Sequence, residues 1–184
     1  LWGVPYLRDV HGLARPEAAH YMTIMLLSFA AGALVFGWFS DRIGRRKPVL
    51  ILGMCIYAVS WLILVYASWT PGLFGLFLFG LMGLGGSSFV ITFACAKEVV
   101  NPELSGMGVS VVNTGCFAGT ALMQPLFGWM ADQTWDGTVV NGIRVYSEAD
   151  YSSGFILMLI FTFAGLAGAL FVKETYCRNI TVES

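Results

Sequence analysis

The fold is decided by residues 37–49, which read GWFSDRIGRRKPV. Five of these residues are charged, namely Asp41, Arg42, Arg45, Arg46 and Lys47. Residues 21–39 before the charged cluster and residues 49–66 after it carry no charged side chain. An uncharged apolar run of about 18 residues can cross the hydrocarbon core of a bilayer. A short cationic connector between two such runs therefore indicates a loop on the cytoplasmic side of a membrane.

The composition of the whole chain supports a membrane protein. The sequence has 184 residues, of which 57% are hydrophobic and 11% are charged. A soluble domain carries about 25% charged residues, and the charged residues here are confined to a few clusters. The basic residues form only one small cluster, which argues against a nucleic-acid partner. The lipid bilayer is the partner that this composition implies.

The chain contains five uncharged spans of 18 to 25 residues, long enough to cross a bilayer once with some tilt. We predict transmembrane helices at Tyr21–Phe39, Val49–Tyr66, Leu73–Ala96, Met107–Ala131 and Phe155–Val172. Residues 1–7 are apolar but too short to span, and we interpret them as the outer end of a helix that begins earlier. Pro16 and Glu17 are placed to start the next helix. The predicted fold class is an all-α, polytopic transmembrane bundle.

The distribution of cationic residues orients the helices. One set of connectors holds seven Lys and Arg residues and the other holds three, and the richer set is expected inside the cell. The C-terminal tail, residues 173–184, is then cytoplasmic, in a multi-pass protein of the inner (plasma) membrane. On the opposite side, Asn141-Gly142 lies between two β-branched runs. This pattern predicts a small extracytoplasmic β-hairpin near residues 138–146.

Uncharged polar residues form one face on each of two spans. The spacing of three and four residues places Gly85, Ser88, Thr92 and Cys95 on one helix face. The same spacing places Ser110, Asn113, Phe117, Thr120 and Gln124 on one face of the next span. An Asn and a Gln in an apolar helix are costly unless they meet a partner or water. The second face either lines a cavity or joins helices through hydrogen bonds, and both interpretations stay open.

Several classes of chemistry are missing from the spans. None of the five contains an Asp, Glu, Lys, Arg or His residue, so this chain offers no intramembrane carboxylate for proton coupling. We find no catalytic constellation and no metal-ligand spacing, and we expect no enzyme activity, no metal site and no cofactor. Gln124-Pro125 lies mid-helix, where Pro125 is either a flexible point or a static kink.

Residues 37–49 closely resemble the signature loop of the major facilitator superfamily, G-x-L-a-D-r-x-G-r-[kr]-x-x-l. The matching residues are Gly37, Asp41, Arg42, Gly44, Arg45 and Arg46. Phe39 and Val49 replace leucines of that pattern. Residues 124–132 also resemble the eleventh helix of bacterial members, and residues 2–7 resemble the seventh.

The resemblance implies the C-terminal six-helix half of a transporter, with a partial helix seven and helices eight to twelve. Its partners would be the N-terminal half of the same transporter, a small-molecule substrate and possible coupling protons. In such proteins two halves rock about a central site. The six matching loop residues would form a conformational latch, with Asp41 near a helix N-terminus of the other half and with Arg42 and Arg45 holding it. The alternative is that these cations only set topology.

The resemblance also selects the helices that line the cavity: the partial helix and the spans beginning at Tyr21, Leu73 and Met107. The spans beginning at Val49 and Phe155 would face lipid. Candidate substrate contacts are Tyr6, Ser88, Thr92, Asn113, Phe117, Thr120 and Gln124. The function implied is secondary active transport of a small organic solute by alternating access, by default proton-coupled uptake as a symporter. Alternatives are a non-transporting membrane sensor or scaffold with this fold, or an efflux carrier.

Overall fold

The computed structural model of the chain describes residues 2–140 and 142–182, which fold into helices and one small sheet. The helices are α1 (Gly3–Asp9), α2 (Arg15–Ile43), α3 (Lys47–Tyr66), α4 (Leu73–Gly86), α5 (Ile91–Glu98), α6 (Ser105–Thr134) and α7 (Glu148–Phe171). The sheet consists of β1 (Val139–Val140) and β2 (Ile143–Arg144). Leu1, Asn141 and residues 183–184, which belong to the predicted helix end, hairpin turn and tail, lie outside the described residues.

Five helical stretches are long and apolar enough to cross a membrane. They are Arg15–Ile43, Lys47–Tyr66, Leu73–Glu98, Pro102–Thr134 and Glu148–Phe171. The predicted all-α, polytopic bundle with a small hairpin is confirmed. The helices extend beyond the uncharged spans, because charged residues at their ends can reach the polar region of a bilayer.

Local sequence explains both ends of α2. Pro16 lies in the first turn, where its missing N–H costs nothing. The backbone N–H of Ala14 donates to the Glu17 carboxylate at 3.1 Å, which satisfies one exposed donor at this helix start. At the other end Gly44 adopts a left-handed conformation with φ of 69°, and its N–H donates to the carbonyl oxygen of Ser40 at 3.0 Å. Glycine is the residue that enters this conformation at least cost, which ends the helix sharply.

The span predicted at Leu73–Ala96 is helical but is not one continuous α-helix. It changes to a tighter 3-10 turn at Ser87–Val90, between α4 and α5. Gly85 and Gly86 precede this turn, and glycine is among the weakest α-helix formers. The Ser87 hydroxyl donates to the carbonyl oxygen of Leu84 at 2.6 Å, a local bond that competes with regular helix geometry.

α4 packs between α2 and α3 through glycines that leave no room for a side chain. A Cβ atom at Gly83 would overlap the backbone carbonyl of Met25 in α2. A Cβ atom at Gly85 would come within 2.6 Å of the backbone nitrogen of Tyr57 in α3. Small residues are the usual means by which membrane helices approach closely, since no hydrophobic effect drives their association within lipid.

The hairpin forms as predicted. Val140 lies opposite Ile143 and Val139 lies opposite Arg144 in an antiparallel pair, which leaves a two-residue connection. Gly142 has a φ of 77°, the left-handed backbone conformation that such a turn requires. The Trp135 indole N–H donates to the carbonyl oxygen of Val145 at 3.1 Å and ties the residue after α6 to the residue after β2.

A substitution at Gly83 tests the close packing of α4. We expect Gly83→Ala to lower the free energy of unfolding of the protein by about 1–3 kcal/mol, because the added methyl group collides with backbone rather than with a movable side chain. Unfolding in mixed micelles with an increasing SDS fraction measures this change. The matched control is Gly168→Ala in α7, where an added Cβ meets nothing within 4 Å. Equal stability of the two variants would contradict the packing described here.

Candidate functional site

The loop after α2, the end of α5 and the residues that follow α7 meet at one end of the bundle, which we call the tail end. Arg46 lies at its centre. One guanidinium nitrogen donates to the Asp41 carboxylate at 2.6 Å and another donates to the Glu98 carboxylate at 2.7 Å. The Nε atom of Arg46 adds a second contact with Glu98 at 3.0 Å. One side chain thus links the end of α2 to the end of α5.

The Arg46–Glu98 pair is shielded from water, with both side chains about nine-tenths buried. Burial lowers the pKa of Arg46, but its hydrogen bonds to Glu98 and Asp41 outweigh this effect and hold the pKa above its ordinary value. The Thr175 hydroxyl, from the tail, donates to the same Glu98 carboxylate. Removing either partner of this pair would leave a buried charge uncompensated.

Glu174 caps the beginning of α3 from across the chain. Its carboxylate accepts the backbone N–H of Arg46 at 2.9 Å and that of Lys47 at 3.1 Å. Partial burial raises the pKa of Glu174, but the backbone N–H donors outweigh it and bring the pKa below its ordinary value. The tail therefore supplies the N-terminal cap that residues next to α3 do not provide.

The tail continues along the end of α5. The Asn179 side-chain amide donates to the carbonyl oxygens of Lys97 at 3.0 Å and Val100 at 2.8 Å. The Ile180 N–H donates to the carbonyl oxygen of Glu98 at 2.9 Å. The Arg45 guanidinium lies 5.6 Å from the centre of the Tyr176 ring, within cation–π range. The tail is thus held by backbone, side-chain and aromatic contacts.

The structure changes the predicted partners of the loop residues. Arg46, not Arg42 or Arg45, holds Asp41. The side chain of Asp41 remains 66% exposed, so its outer oxygen is accessible to another segment. Gly44 makes the tight turn that ends α2. A Cβ atom at Gly37 would meet nothing within 4 Å, which leaves an open surface on α2 beside the loop.

Sequence reasoning missed the acidic partners of this network, Glu98 and Glu174. Both lie at the end of a predicted span, each beside a lysine that was counted only as a topology signal. Carboxylates on the same side of the membrane as an arginine-rich loop are a usable signal, since such charges pair where water is scarce. The spacing along the chain, 52 residues between Arg46 and Glu98, hides that pairing.

A cavity of about 490 Å³ lies in the middle of the bundle. Its lining consists of apolar and aromatic side chains from all of the long helices, with glycines and Gln124. Among the described residues, no charged side chain lines it. Two buried polar atoms on this lining, the Trp61 indole nitrogen and the Gln124 side-chain oxygen, have no hydrogen-bond partner within the described residues. The span-forming helices α3 and α7, expected to face lipid, contribute Tyr57 and Phe155 to this cavity.

The predicted cavity residues separate into three places. Tyr6 and Gln124 lie on the central cavity. Ser88 is fully buried against Gly53 of α3, and the Thr92 hydroxyl donates to the carbonyl oxygen of Phe89 at 2.5 Å. The other three, Asn113, Phe117 and Thr120, are exposed on the outer face of α6.

Comparison with known proteins agrees with this architecture. A family model described as Major Facilitator Superfamily matches residues 3–179. The chain is 33% identical over 124 residues to a putative niacin/nicotinamide transporter of Bacillus subtilis, a match covering 63% of this chain and 30% of that protein. It is 29% identical over 115 residues to multidrug resistance protein D of Escherichia coli, covering 62% and 28% of the two proteins.

A third relative, a transporter of an ascochitine biosynthesis cluster in Didymella fabae, is 26% identical over 168 residues. That match covers 90% of this chain and 29% of the relative. The matched part of the chain therefore covers less than a third of the length of each of these three relatives. The relatives are transporters rather than enzymes. With its family match over nearly the whole sequence and its membrane-length helices, the chain belongs to the major facilitator superfamily of membrane transporters.

Proposed function

We propose that this chain forms the C-terminal half of a secondary active transporter that moves a small organic solute by alternating access. The tail end would face the cytoplasm of a bacterial cell and the hairpin would face outward. This orientation is supported by the seven cationic residues on the connectors of the tail end, against three on the opposite connectors. Uptake driven by protons is the form of transport that we propose.

The outer face of α6 carries this proposal. In the most apolar 18-residue segment of Pro102–Thr134, no residue is buried against the rest of the described chain. The exposed face of this helix nevertheless presents the polar side chains of Asn113 and Thr120. An amide facing lipid would be costly because hydrocarbon offers no hydrogen-bond partner. The polar face therefore fits the wall of a water-filled pathway that a second half of the transporter completes.

The central cavity fits a different role. Its lining is apolar, and Trp2 and Gly3 at the beginning of α1 lie on it. The relatives are more than three times as long as the regions aligned here. We therefore assign the cavity to packing with another helix of the longer protein, and the solute pathway to the face of α6. A polar group on that helix would pair with the Trp61 indole and the Gln124 amide.

The tail-end network fits a conformational latch built on Arg46. Its inner contacts with Glu98 and Asp41 hold α2, α5 and the tail together. The exposed side of Asp41 and the open surface at Gly37 are where the other half would dock when this end closes. When this end opens, the exposed oxygen of Asp41 would contact water, and when it closes, the same oxygen would contact the other half. The Arg46–Glu98 pair would stay intact in both states.

The chemistry of α6 also bears on the substrate. Amide and hydroxyl groups without a charged neighbour suit a solute that is recognised through neutral hydrogen bonds. The printed names of relatives range over niacin or nicotinamide, chloramphenicol and inorganic phosphate, so they support a small solute without selecting one. Because the predicted spans carry no ionisable side chain, the group that takes up a coupling proton would lie elsewhere in the longer protein.

Uptake by the full-length protein in sealed vesicles tests the proposal. Nicotinamide, nicotinate and chloramphenicol are the first solutes to supply, with and without a proton gradient. For a transported solute we expect Asn113→Leu to lower kcat/KM about tenfold, because one hydrogen bond to the solute is lost while the branched shape of the side chain is kept.

The matched control is Val111→Ala on another face of α6, where the side chain is also exposed. We expect this variant to keep kcat/KM within about twofold of the original protein, since it removes no polar group. If Asn113→Leu and Val111→Ala behave alike for every transported solute, the face carrying Asn113 does not line the pathway.

The pKa of Glu174 predicts a pH dependence of tail docking. Because the docked state lowers this pKa, docking is strongest above the ordinary Glu pKa of about 4.3 and is lost as pH falls through the lowered value. A nitroxide label at Val182→Cys, read by its mobility in the purified full-length protein, should become more mobile on acidification. In Glu174→Gln the label should be mobile already at pH 7, whereas Glu103→Gln, at an exposed residue nearby, should retain the original response. If the label in Glu174→Gln is no more mobile at pH 7 than in the original protein, Glu174 does not hold the tail.

A further inference from the structure

We propose that a cleft between α1 and the β-hairpin binds a small aromatic carboxylate. This cleft has a volume of about 320 Å³ and lies at the hairpin end of the bundle. Its lining combines two arginines with three aromatic side chains and the hairpin backbone. The charged and aromatic residues that line the cleft are Trp2, Arg8, Asp9, Arg144, Tyr146 and Tyr151.

The two arginines differ in how they are engaged. The Arg144 guanidinium donates to the Asp132 carboxylate at 3.1 Å and lies 4.5 Å from the centre of the Trp135 ring. It is therefore already neutralised and oriented. The Arg8 side chain is exposed and makes no hydrogen bond or ion pair with the residues that the structure describes. Arg8 is thus the cation in this cleft that still lacks an anion.

Asp9 carries the carboxylate that lines the cleft, and within the described residues it makes no ion pair with Arg8. Asp9 accepts the Tyr151 hydroxyl at 2.7 Å, and this bond joins α1 to the start of α7. Asp132 is likewise occupied, since it accepts both the Arg144 guanidinium and the Tyr146 hydroxyl, the latter at 2.7 Å. The acidic side chains around the cleft hold its walls together, which leaves Arg8 available to an incoming carboxylate.

The aromatic side chains of the cleft favour a ligand that carries a planar ring next to its carboxylate. The Trp2 and Tyr146 rings meet edge to face with their centres 6.1 Å apart, and Tyr146 meets Tyr151 at 5.8 Å. Together with Val140 and Ile143 of the hairpin, these rings form an apolar corner next to the arginines. A planar ring packs well against aromatic faces and edges, whereas inorganic phosphate would leave this corner unused. A flat ring bearing one carboxylate fits both features.

Trp2 gives the cleft a place in the proposed transport cycle. This side chain lines both the cleft and the central cavity, so a ligand in the cleft contacts the same side chain that packs inside the bundle. The cleft would then act as an outer recognition site for the solute, and this role rests on the proposed transport function. Benzoate binding in the cleft is independent of transport and can be measured without a proton gradient.

Equilibrium dialysis of labelled benzoate against the full-length protein in lipid nanodiscs tests the proposal. Benzamide, which has the ring without the charge, and inorganic phosphate, which has the charge without the ring, are the matched probes. We expect saturable benzoate binding that is at least tenfold tighter than the binding of either comparison probe.

Arg8→Gln should weaken benzoate binding at least fivefold while leaving benzamide binding unchanged, because only the charge-assisted contact is lost. Since the Arg8 side chain is exposed and makes no hydrogen bond or ion pair within the described residues, this variant should fold normally. The control is Arg15→Gln, an exposed arginine at the same end that does not line the cleft, and its benzoate affinity should stay within twofold of the original.

Four results would overturn the proposal. The first three are no saturable benzoate binding, equal loss of affinity in Arg8→Gln and Arg15→Gln, and benzoate binding that survives Arg8→Gln unchanged. The fourth is phosphate that binds as tightly as benzoate, which would indicate a general anion or lipid-phosphate site. If Arg8→Gln loses benzoate binding but keeps solute uptake, the cleft is a binding site for the carboxylate but takes no part in transport.

Discussion

The ion pair between Arg46 and Glu98 is the contact on which the tail end of this molecule depends. Both side chains are largely removed from water, and Glu98 also accepts the Thr175 hydroxyl. Two buried charges are tolerated only when each compensates the other and further hydrogen bonds satisfy the remaining atoms. This requirement brings three distant parts of the chain to one point: the loop after α2, the end of α5 and the tail. Glu174 then completes the assembly from the tail by capping α3.

Close backbone packing is the second constraint. Gly83 and Gly85 hold α4 directly against α2 and α3. Other helix faces have no partner within the part of the chain that the structure describes. Each membrane-length helix has a most apolar 18-residue segment. The buried share is lowest for the segments of α2 and α6, at 11% and 0% of their residues. Helices buried on one side and open on the other suit one half of a larger transporter, and the aligned share of the relatives agrees with this view.

Local patterns predicted most of the fold. The charged loop at residues 37–49, the uncharged spans on either side and the Asn141-Gly142 turn each depend on neighbours in sequence, so membrane crossing and the hairpin could be inferred directly. The 3-10 turn at Ser87–Val90 was missed because a helical period does not reveal a local change in winding. Glycine pairs next to serines are the signal that indicates it.

Contacts between distant residues limited the prediction of the site. A helical period shows which side chains share a face but not what that face meets. Ser88 and Asn113, on two different spans, were both predicted to contact substrate, although Ser88 is buried against Gly53 and Asn113 is exposed. In the loop, three arginines carry the same charge, and sequence alone does not distinguish which one turns inward. The structure selects Arg46 because Glu98 and Asp41 lie on either side of it.

A double-mutant cycle on Arg46 and Glu98 tests the central claim most directly. It compares the free energy of unfolding of the full-length protein with that of Arg46→Met, Glu98→Gln and the double variant in the same micelles. If the buried pair organises the tail end, the two changes should be strongly non-additive, with a coupling energy of about 1–3 kcal/mol. Changes that add to within about 0.5 kcal/mol would mean that Arg46 and Glu98 act independently and that the pair does not hold the tail end together.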